Sequence, residues 1–372
     1  MAGARDTGIS PVQKEYLDIL GSAIWGEKPS HIPQDVEGVL KIANLQKTRP
    51  LVLDALQKAG YEVTDPHDWD IIYRTTSAHI SIDRTIVQLV SLFRENGINP
   101  VLLKGQGVTQ NYPEPMLREC GDIDLYVGEE MYDKACTLID AQESVSRMEE
   151  ESFTDKHYQV KMNGVYVEIH RAAETIKNKK QNDYYQNLSR TGLTRDLVPI
   201  TISGQSVDTP ADSFNAFYLF HHFVIHSIFG GVGLRQICDW VLFLHSRAGR
   251  LDTSVTDNAL TFFNLHDAWR LYASIAVDYL GLPADEMPFY EAGLDKRSSE
   301  LLSLILEEGN FGYKLNRLEG RPSSLVSGKL FTMKLLNKRY LKLYHIYPEM
   351  KSLIFGKHIE FLLSGIGRIT KD

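Results

Sequence analysis

Two aspartates lie one residue apart in an alternating segment of this 372-residue chain, from Asp122 to Val127. A period of two predicts a β-strand with one buried face. Side chains two residues apart on a strand point to the same side, so Asp122 and Asp124 are expected to project together while Ile123 and Leu125 face the core. Neighbouring carboxylates repel each other and are costly to bury unless a cation neutralises them. Hard oxygen ligands at this spacing suit Mg²⁺.

A third acid, Glu168, lies on a predicted β-hairpin. Two alternating segments are joined by Asn163-Gly164, the strongest short-range hairpin signal that a sequence offers. If the strand that carries Glu168 pairs with the strand of Asp122 and Asp124, the three carboxylates meet in one small volume. Two Mg²⁺ (or Mn²⁺) ions held there would activate an attacking hydroxyl and stabilise a leaving pyrophosphate.

A glycine turn precedes these acids and follows a short apolar run. Its residues are Lys104, Gly105, Gln106 and Gly107. Backbone amides at the start of a helix can bind phosphate oxygens, and glycine lets the backbone approach them closely. Lys104 and Arg118 are predicted triphosphate contacts, with solvated surface charge as the alternative. The turn is not a P-loop, because no Gly-Lys-Ser/Thr follows it.

These motifs together resemble the family of uncharacterised nucleotidyltransferases within the DNA polymerase beta-like superfamily. The resemblance is specific over residues 99–171 and looser over 210–245. The residues that carry it are Leu103-Lys104-Gly105, Tyr112-Pro113, Arg118, Gly121-Asp122-Ile123-Asp124-Leu125 and Val167-Glu168-Ile169-His170.

The resemblance implies roles for the three acids. Asp122 and Asp124 would bind both metals, and Glu168 would join the catalytic metal and help to deprotonate the acceptor. The turn departs from the superfamily, where Gly-Ser or Gly-Gly is usual, because Gln106 follows Gly105 here. The third acid is a glutamate rather than the commoner aspartate, which lengthens its reach.

Polar residues in the C-terminal half offer further candidates. Arg235 and Asp239 are four residues apart on a predicted helix. They form either a surface ion pair or nucleotide contacts, since a helical domain often closes over the nucleotide in proteins that this chain resembles. His222 and His226 share a helix face, but a zinc site lacks a third ligand, which favours histidines that line the core or a substrate.

The elements that must position these residues predict an α+β fold. A small mixed β-sheet forms the nucleotidyltransferase core, flanked by N-terminal and C-terminal helical regions. The predicted division is an N-terminal helical region (1–97), a catalytic core (98–208) and a C-terminal helical domain (209–372). Helical spacing of apolar residues continues through 214–228, 234–246, 258–280 and 296–308.

Composition limits the classes of function. The formal net charge is −8, so a chain-wide basic surface for nucleic acid is missing. Three cysteines without a CxxC pair argue against a disulfide framework or a cysteine zinc site and fit a reducing cytoplasm. The N-terminus has no apolar core typical of a signal peptide. The stretch 214–233 is interrupted by Asn215 and histidines, which argues against a membrane span. We therefore expect a soluble cytoplasmic protein without integral membrane association.

The sequence thus favours transfer of a nucleoside monophosphate from an NTP to an acceptor, with release of pyrophosphate. A small molecule, a glycan precursor or a peptide is favoured as acceptor over long nucleic acid. The alternatives are a metal-dependent glycosyltransferase with a DxD motif and a nucleotide-binding protein without catalysis. A basic and apolar C-terminal tail either packs on the domain or contacts a membrane surface; its residues are Lys351, Ile354, Phe355, Lys357, Ile359, Phe361, Leu362 and Arg368.

Overall fold

The computed structural model describes residues 8–147, 156–293, 295–312, 322 and 324–359. Its helices are α1 (Pro11–Ile24), α2 (Val36–Gln46), α3 (Arg49–Ala59), α4 (Pro66–Glu95), α5 (Gly105–Thr109), α6 (Glu129–Asp140), α7 (Lys179–Gly192), α8 (Asp212–Phe229), α9 (Leu234–Ser246), α10 (Thr253–Phe263), α11 (His266–Asp278), α12 (Asp295–Glu308) and α13 (Leu325–Ile346). Residues 351–359 are also helical. Its strands are β1 (Val101–Leu103), β2 (Asp122–Tyr126), β3 (Val145–Arg147), β4 (His157–Met162), β5 (Val165–His170), β6 (Val198–Ile202) and β7 (Gln205–Thr209).

The strands form one mixed sheet in the order β3-β4-β5-β2-β1-β7-β6. Strand β2 runs parallel to β5, and β1 runs parallel to β7. The remaining neighbours are antiparallel. Helical regions before and after this sheet confirm the predicted α+β fold.

Two tight hairpins build the sheet, and the sequence predicted one of them. Asn163 and Gly164 connect β4 to β5 with φ of 53° and 82°. Ser203 and Gly204 connect β6 to β7 with φ of 47° and 83°. Positive φ at both positions gives the twist that suits a two-residue hairpin. The second hairpin was not predicted, although residues 198–202 alternate in burial as those of β4 do.

One face of the sheet packs against α4 and α6. Ile123 and Leu125 of β2 lie in a core with Ile86 and Leu89 of α4. Both strand residues are buried, so the predicted direction of the β2 side chains is confirmed. The acids of β2 must therefore point to the opposite face.

The opposite face lies toward a second core, which joins both ends of the chain. Helices α1–α3 and the C-terminal helices contribute to the same apolar cluster. The side chain of Gln46 donates to the carbonyl oxygen of Ile305 (3.0 Å) and accepts from the backbone N–H of Leu234 (3.0 Å). Nε1 of Trp25 donates to the carbonyl oxygen of Leu280 at 2.6 Å. The N-terminal helices are thus packed on C-terminal ones, and the three-part division of the chain stays a prediction.

The predicted C-terminal helices are present with one difference. The segment 258–280 contains two helices, α10 and α11, because Asn264 adopts a left-handed conformation that ends α10. No helix in the described ranges is long and apolar enough to span a membrane. Of the tail, Ile354 is buried and Phe355 is exposed, whereas residues 360–372 lie outside the described part.

Candidate active site

The sheet brings two of the predicted metal ligands side by side. Asp124 on β2 pairs directly with Glu168 on the parallel strand β5. Asp122 pairs with Tyr166 one step along the same two strands. Because residues paired across a sheet point to the same face, the three acids share the face away from α4.

Asp124 is the buried centre of this group. Its Oδ1 accepts hydrogen bonds from Nε2 of His170 at 2.8 Å and lies 3.1 Å from Nζ of Lys104. Burial alone would raise the pKa of Asp124, but Lys104 and His170 outweigh it and hold the pKa well below the usual range. Asp124 is therefore an ionised carboxylate at neutral pH, as a metal ligand must be.

Glu168 lies between two polar neighbours of its own hairpin. Nε2 of Gln159 donates to Oε1 at 3.0 Å, and Nε2 of His170 lies 3.2 Å from Oε2. Burial would raise the pKa of Glu168, but the hydrogen bond from His170 lowers it below its ordinary value. One histidine nitrogen therefore contacts both Asp124 and Glu168.

The electrostatics of Asp122 fit a cation at this place. Asp122 is exposed at the mouth of the site. Desolvation by the surrounding protein and repulsion from Asp124 raise its pKa, against the attraction of Lys104. The acids thus carry more negative charge than Lys104 neutralises. A divalent ion would relieve this repulsion, and the oxygen ligands fit Mg²⁺ or Mn²⁺.

The glycine turn holds Lys104 against the acids through an unusual backbone. Lys104 has φ of 47° and ψ of −150°, and Gly105 also has a positive φ of 36°. A side chain in such a region costs on the order of 1–3 kcal/mol and persists where surrounding structure enforces it. Burial lowers the pKa of Lys104, but Asp124 and Asp122 reverse this and raise it, so the ammonium stays charged.

Gln106 and Gly107 make contacts inside the protein, and their predicted contact with phosphate stays a prediction. Nε2 of Gln106 donates to Oδ1 of Asp83 at 2.6 Å and to Nδ1 of His79 at 2.9 Å. Nδ1 is therefore an acceptor, and Nε2–H of His79 donates to the carbonyl oxygen of Arg118 at 2.7 Å. A Cβ at position 107 would approach the carbonyl oxygen of Leu102 to 3.2 Å, so glycine serves close packing on β1. The side chain of Gln106 and the Cα of Gly107 are both buried in the protein.

Arg118 and Asp239 bind each other. Nε and Nη2 of Arg118 donate to the two carboxylate oxygens of Asp239 at 2.9 Å and 2.6 Å. Tyr112 donates to Oδ1 of Asp239 at 2.7 Å. Both members of the pair are buried. The predicted surface pair of Arg235 and Asp239 is replaced by this buried pair, because the loop after α5 packs directly against α9.

Arg235 keeps donors for a ligand. Its Nη1 donates to the carbonyl oxygen of Glu119 at 2.6 Å. Within the described part of the chain, its buried Nε has no hydrogen-bond partner. Burial and the neighbouring Arg118 lower the pKa of Arg235. A guanidinium N–H without a partner, beside the three acids, is the kind of donor that binds a phosphate oxygen.

Two adjoining cavities meet at Asp122. The smaller has a volume of about 80 Å³ and is lined by Lys104, Gly105, Arg118, Gly121, Asp122, Asp124, Leu219, His222, Phe223, Arg235, Gln236, Asp239 and Phe311. The larger has a volume of about 440 Å³ and is lined by Lys47, Glu119, Cys120, Gly121, Asp122, Gln159, Tyr166, Arg235, Asn310 and Phe311. Asp122 and Arg235 line both. Most of the predicted site residues therefore surround one connected region, whereas Glu168, Gln106 and Gly107 do not line it.

Some polar residues that contact the acids were not predicted from the sequence. Gln159 and His157 lie on β4 across from Glu168 and His170, and their alternation with apolar residues was the available signal. His222 and His226 lie with ring centroids 4.5 Å apart. Burial lowers the pKa of both. In the described part of the chain the group of ligating side chains that could hold a metal is a different one, formed by His157, Glu168 and His170.

Comparison with known families accounts for this arrangement. Residues 33–281 match the family described as "Uncharacterised nucleotidyltransferase". No curated protein and no solved structure matches the chain. The match extends from just before α2 through the whole sheet to just after α11, well beyond the motifs around the acids. This chain therefore belongs to the family of uncharacterised nucleotidyltransferases.

Proposed function

We propose that this protein is a metal-dependent enzyme that transfers a nucleoside monophosphate from an NTP to an acceptor and releases pyrophosphate. The observation that carries the proposal is the contact of Asp124 and Glu168, from neighbouring parallel strands, with one nitrogen of His170. Acids so close on the polar face of a sheet, in a chain of this family, support a two-metal site. Mg²⁺ or Mn²⁺ held by Asp122, Asp124 and Glu168 would polarise the transferred phosphoryl group and lower the pKa of the acceptor hydroxyl.

Some residues around the acids would bind the triphosphate directly, and others hold those residues in place. Lys104 and Arg235 offer positive charge to the triphosphate, and the backbone at Gly105 faces the same cavity. Arg118 acts mainly by holding α9, which carries Arg235, against the loop before β2. Asp239 contributes as the partner of Arg118. The helical domain thereby closes over the polar face of the sheet.

The larger cavity is the entrance that we assign to the acceptor. Its volume of about 440 Å³ lies within the usual range for small-molecule sites. Gln159 lines it and donates to Glu168, so a hydroxyl bound there approaches the acid that deprotonates it. The exposed ring of Tyr166 offers an apolar surface beside this position. A small hydroxylated molecule or the side chain of a peptide fits such a cavity better than a nucleic acid duplex.

The decisive experiment follows the label from the donor. The purified protein is incubated with Mg²⁺, a cell extract and each NTP labelled in turn at the α-phosphate or the γ-phosphate. We expect the α-label on an acceptor and the γ-label in pyrophosphate, both lost in Asp122→Asn with Asp124→Asn. Transfer of a sugar from a nucleotide sugar with release of nucleoside diphosphate would establish a glycosyltransferase instead. Binding of NTP without any product would establish a protein that binds nucleotide without catalysis.

A further inference from the structure

Two histidines and Glu168 form a compact group on the polar face of the sheet. His157 on β4 is paired directly with His170 on β5, and Glu168 is one step away on the same face. Oε2 of Glu168 lies 3.2 Å from Nε2 of His170 and 3.6 Å from Nδ1 of His157. The three potential ligand atoms all lie within 4.8 Å of one another. One carboxylate oxygen therefore faces two imidazole nitrogens.

The two separations from Oε2 of Glu168 are those of ligands that share one metal ion. Nitrogen and oxygen ligands bind zinc-sized ions at about 2.1 Å, which places neighbouring ligands about 3.0 Å apart in an octahedron and about 3.4 Å apart in a tetrahedron. The contacts of 3.2 Å and 3.6 Å that Glu168 makes match this spacing. Oδ1 of Asp124 lies 2.8 Å from Nε2 of His170 and so borders this group.

The hydrogen bond from Gln159 occupies Oε1 of Glu168, so Oε2 remains for an ion. Gln159 donates to Oε1 and fixes the carboxylate plane, whereas Oε2 faces both imidazoles. Such support of a ligating carboxylate by a neighbouring amide is a usual part of a metal site. Without an ion, a proton on Nε2 of His170 serves both acids, since a bare nitrogen would repel them. A metal ion takes the place of that proton, because a ligating imidazole nitrogen must be unprotonated.

We propose that His157, Glu168 and His170, with Asp124 at their edge, bind a divalent transition-metal ion of the Mn²⁺ and Zn²⁺ class. Two imidazoles and one carboxylate suit such ions, whereas Mg²⁺ prefers oxygen ligands alone. The inference rests on the proposed function in that it names the ion held at Glu168. Mg²⁺ then enters with the triphosphate at Asp122 and Asp124. The two ions of the site differ in chemistry.

Manganese alone is the probe for this site. The full chain, freed of metal and nucleotide, is titrated with Mn²⁺ while electron paramagnetic resonance measures the free ion, and pulsed measurements detect nitrogen couplings to the bound ion. We expect one ion with nitrogen couplings and poor displacement by a large excess of Mg²⁺. His157→Ala should weaken Mn²⁺ binding at least about tenfold, the lower end of losses seen even for the partners of metal ligands. His345→Ala, an exposed histidine of α13, is the matched control and should bind as the wild type does.

The wild-type spectrum decides the inference without any variant. Bound Mn²⁺ that lacks nitrogen couplings, or Mg²⁺ that displaces it at equal concentration, overturns the site. Equal affinity in a folded His157→Ala protein also overturns it. Pyrophosphate release measured beside these titrations separates the two proposals. Release with Mg²⁺ as the sole ion and no nitrogen-coupled Mn²⁺ leaves the proposed function standing and removes the transition-metal site. Nitrogen-coupled Mn²⁺ without any pyrophosphate release supports the transition-metal site and removes the proposed function.

Discussion

Nζ of Lys104 lies 3.1 Å from Oδ1 of Asp124, so the site holds its own counter-ion at the end of strand β1. Lys104 achieves this contact from a left-handed backbone position directly after that strand. The ammonium neutralises part of the acidic group and lets it remain ionised in the absence of metal. An arriving metal–triphosphate complex would take over the acids and leave Lys104 for a phosphate oxygen.

Nucleotide binding should require a divalent metal ion. Burial and then repulsion from Asp124 raise the pKa of Asp122, and the same negative charge would repel a triphosphate that lacks a cation. We expect calorimetry to detect NTP binding with Mg²⁺ or Mn²⁺ and none in EDTA, and we expect Asp122→Asn with Asp124→Asn to abolish it. Equally tight binding in EDTA would contradict the metal site. Glu307→Gln removes one negative charge from an exposed position on α12, and this control variant should bind NTP as the wild type does.

Glu168 should act on turnover rather than on nucleotide affinity. Gln159, which donates to Glu168, lines the larger cavity, whereas Asp122 lines both cavities. Glu168→Gln should therefore keep most of the Mg-NTP affinity and lose about a thousandfold in rate. Asp124→Asn should reduce affinity and rate together. Pyrophosphate release near the wild-type rate in Glu168→Gln would show that Glu168 is an ordinary strand acid, with Glu119 as the next candidate; Asp155, the other nearby acid, lies outside the described residues.

Arg118 and Arg235 line the same cavity, but substituting Arg118 should mainly reduce stability, whereas substituting Arg235 should mainly reduce nucleotide affinity. Arg118→Met leaves the buried Asp239 without its charged partner, so the free energy of unfolding should fall by about 3–5 kcal/mol. Arg235→Met removes a guanidinium with an unused N–H, so Mg-NTP affinity should fall about tenfold with a much smaller loss of stability. Denaturant unfolding and nucleotide titration of both variants provide the measurement. A nucleotide affinity unchanged in Arg235→Met would remove Arg235 from the site.

Stability should decline in mild acid because of His221. Burial lowers its pKa to about 4, against the opposing attraction of Glu174. The unfolded chain, with an ordinary histidine pKa of about 6.5, binds the proton first as pH falls. The contribution of neutral His221 is therefore complete above pH of about 6.5 and is lost as pH falls toward about 4, a change of order 3 kcal/mol.

The check is the free energy of unfolding measured at pH values from 7 down to about 4. His221→Gln should flatten this decline, whereas His31→Gln, at an exposed position, should leave it as in the wild type. The same slope in His221→Gln and in the wild type would show that other groups cause the decline.

The sequence determined the local geometry of the acids. A period of two in β2 and β5 is sufficient to place Asp122, Asp124 and Glu168 opposite the apolar residues, because strand side chains alternate by stereochemistry. Asn163-Gly164 fixed the β4–β5 register for a similar reason, since both residues tolerate positive φ. The apolar spacing of α8, α9 and α12 predicted their bounds closely, whereas the left-handed Asn264 that divides 258–280 left no such pattern.

Only the tertiary structure decided which polar groups became partners. Arg118 and Asp239 are 121 residues apart, and the side chain of Gln106 donates to Asp83 of α4. His157 joined His170 and Glu168 because β4, β5 and β2 lie side by side in the sheet. A periodic pattern states which side of an element a residue faces, but not which element covers that side. That choice depends on how the two cores pack, and packing is a property of the whole chain.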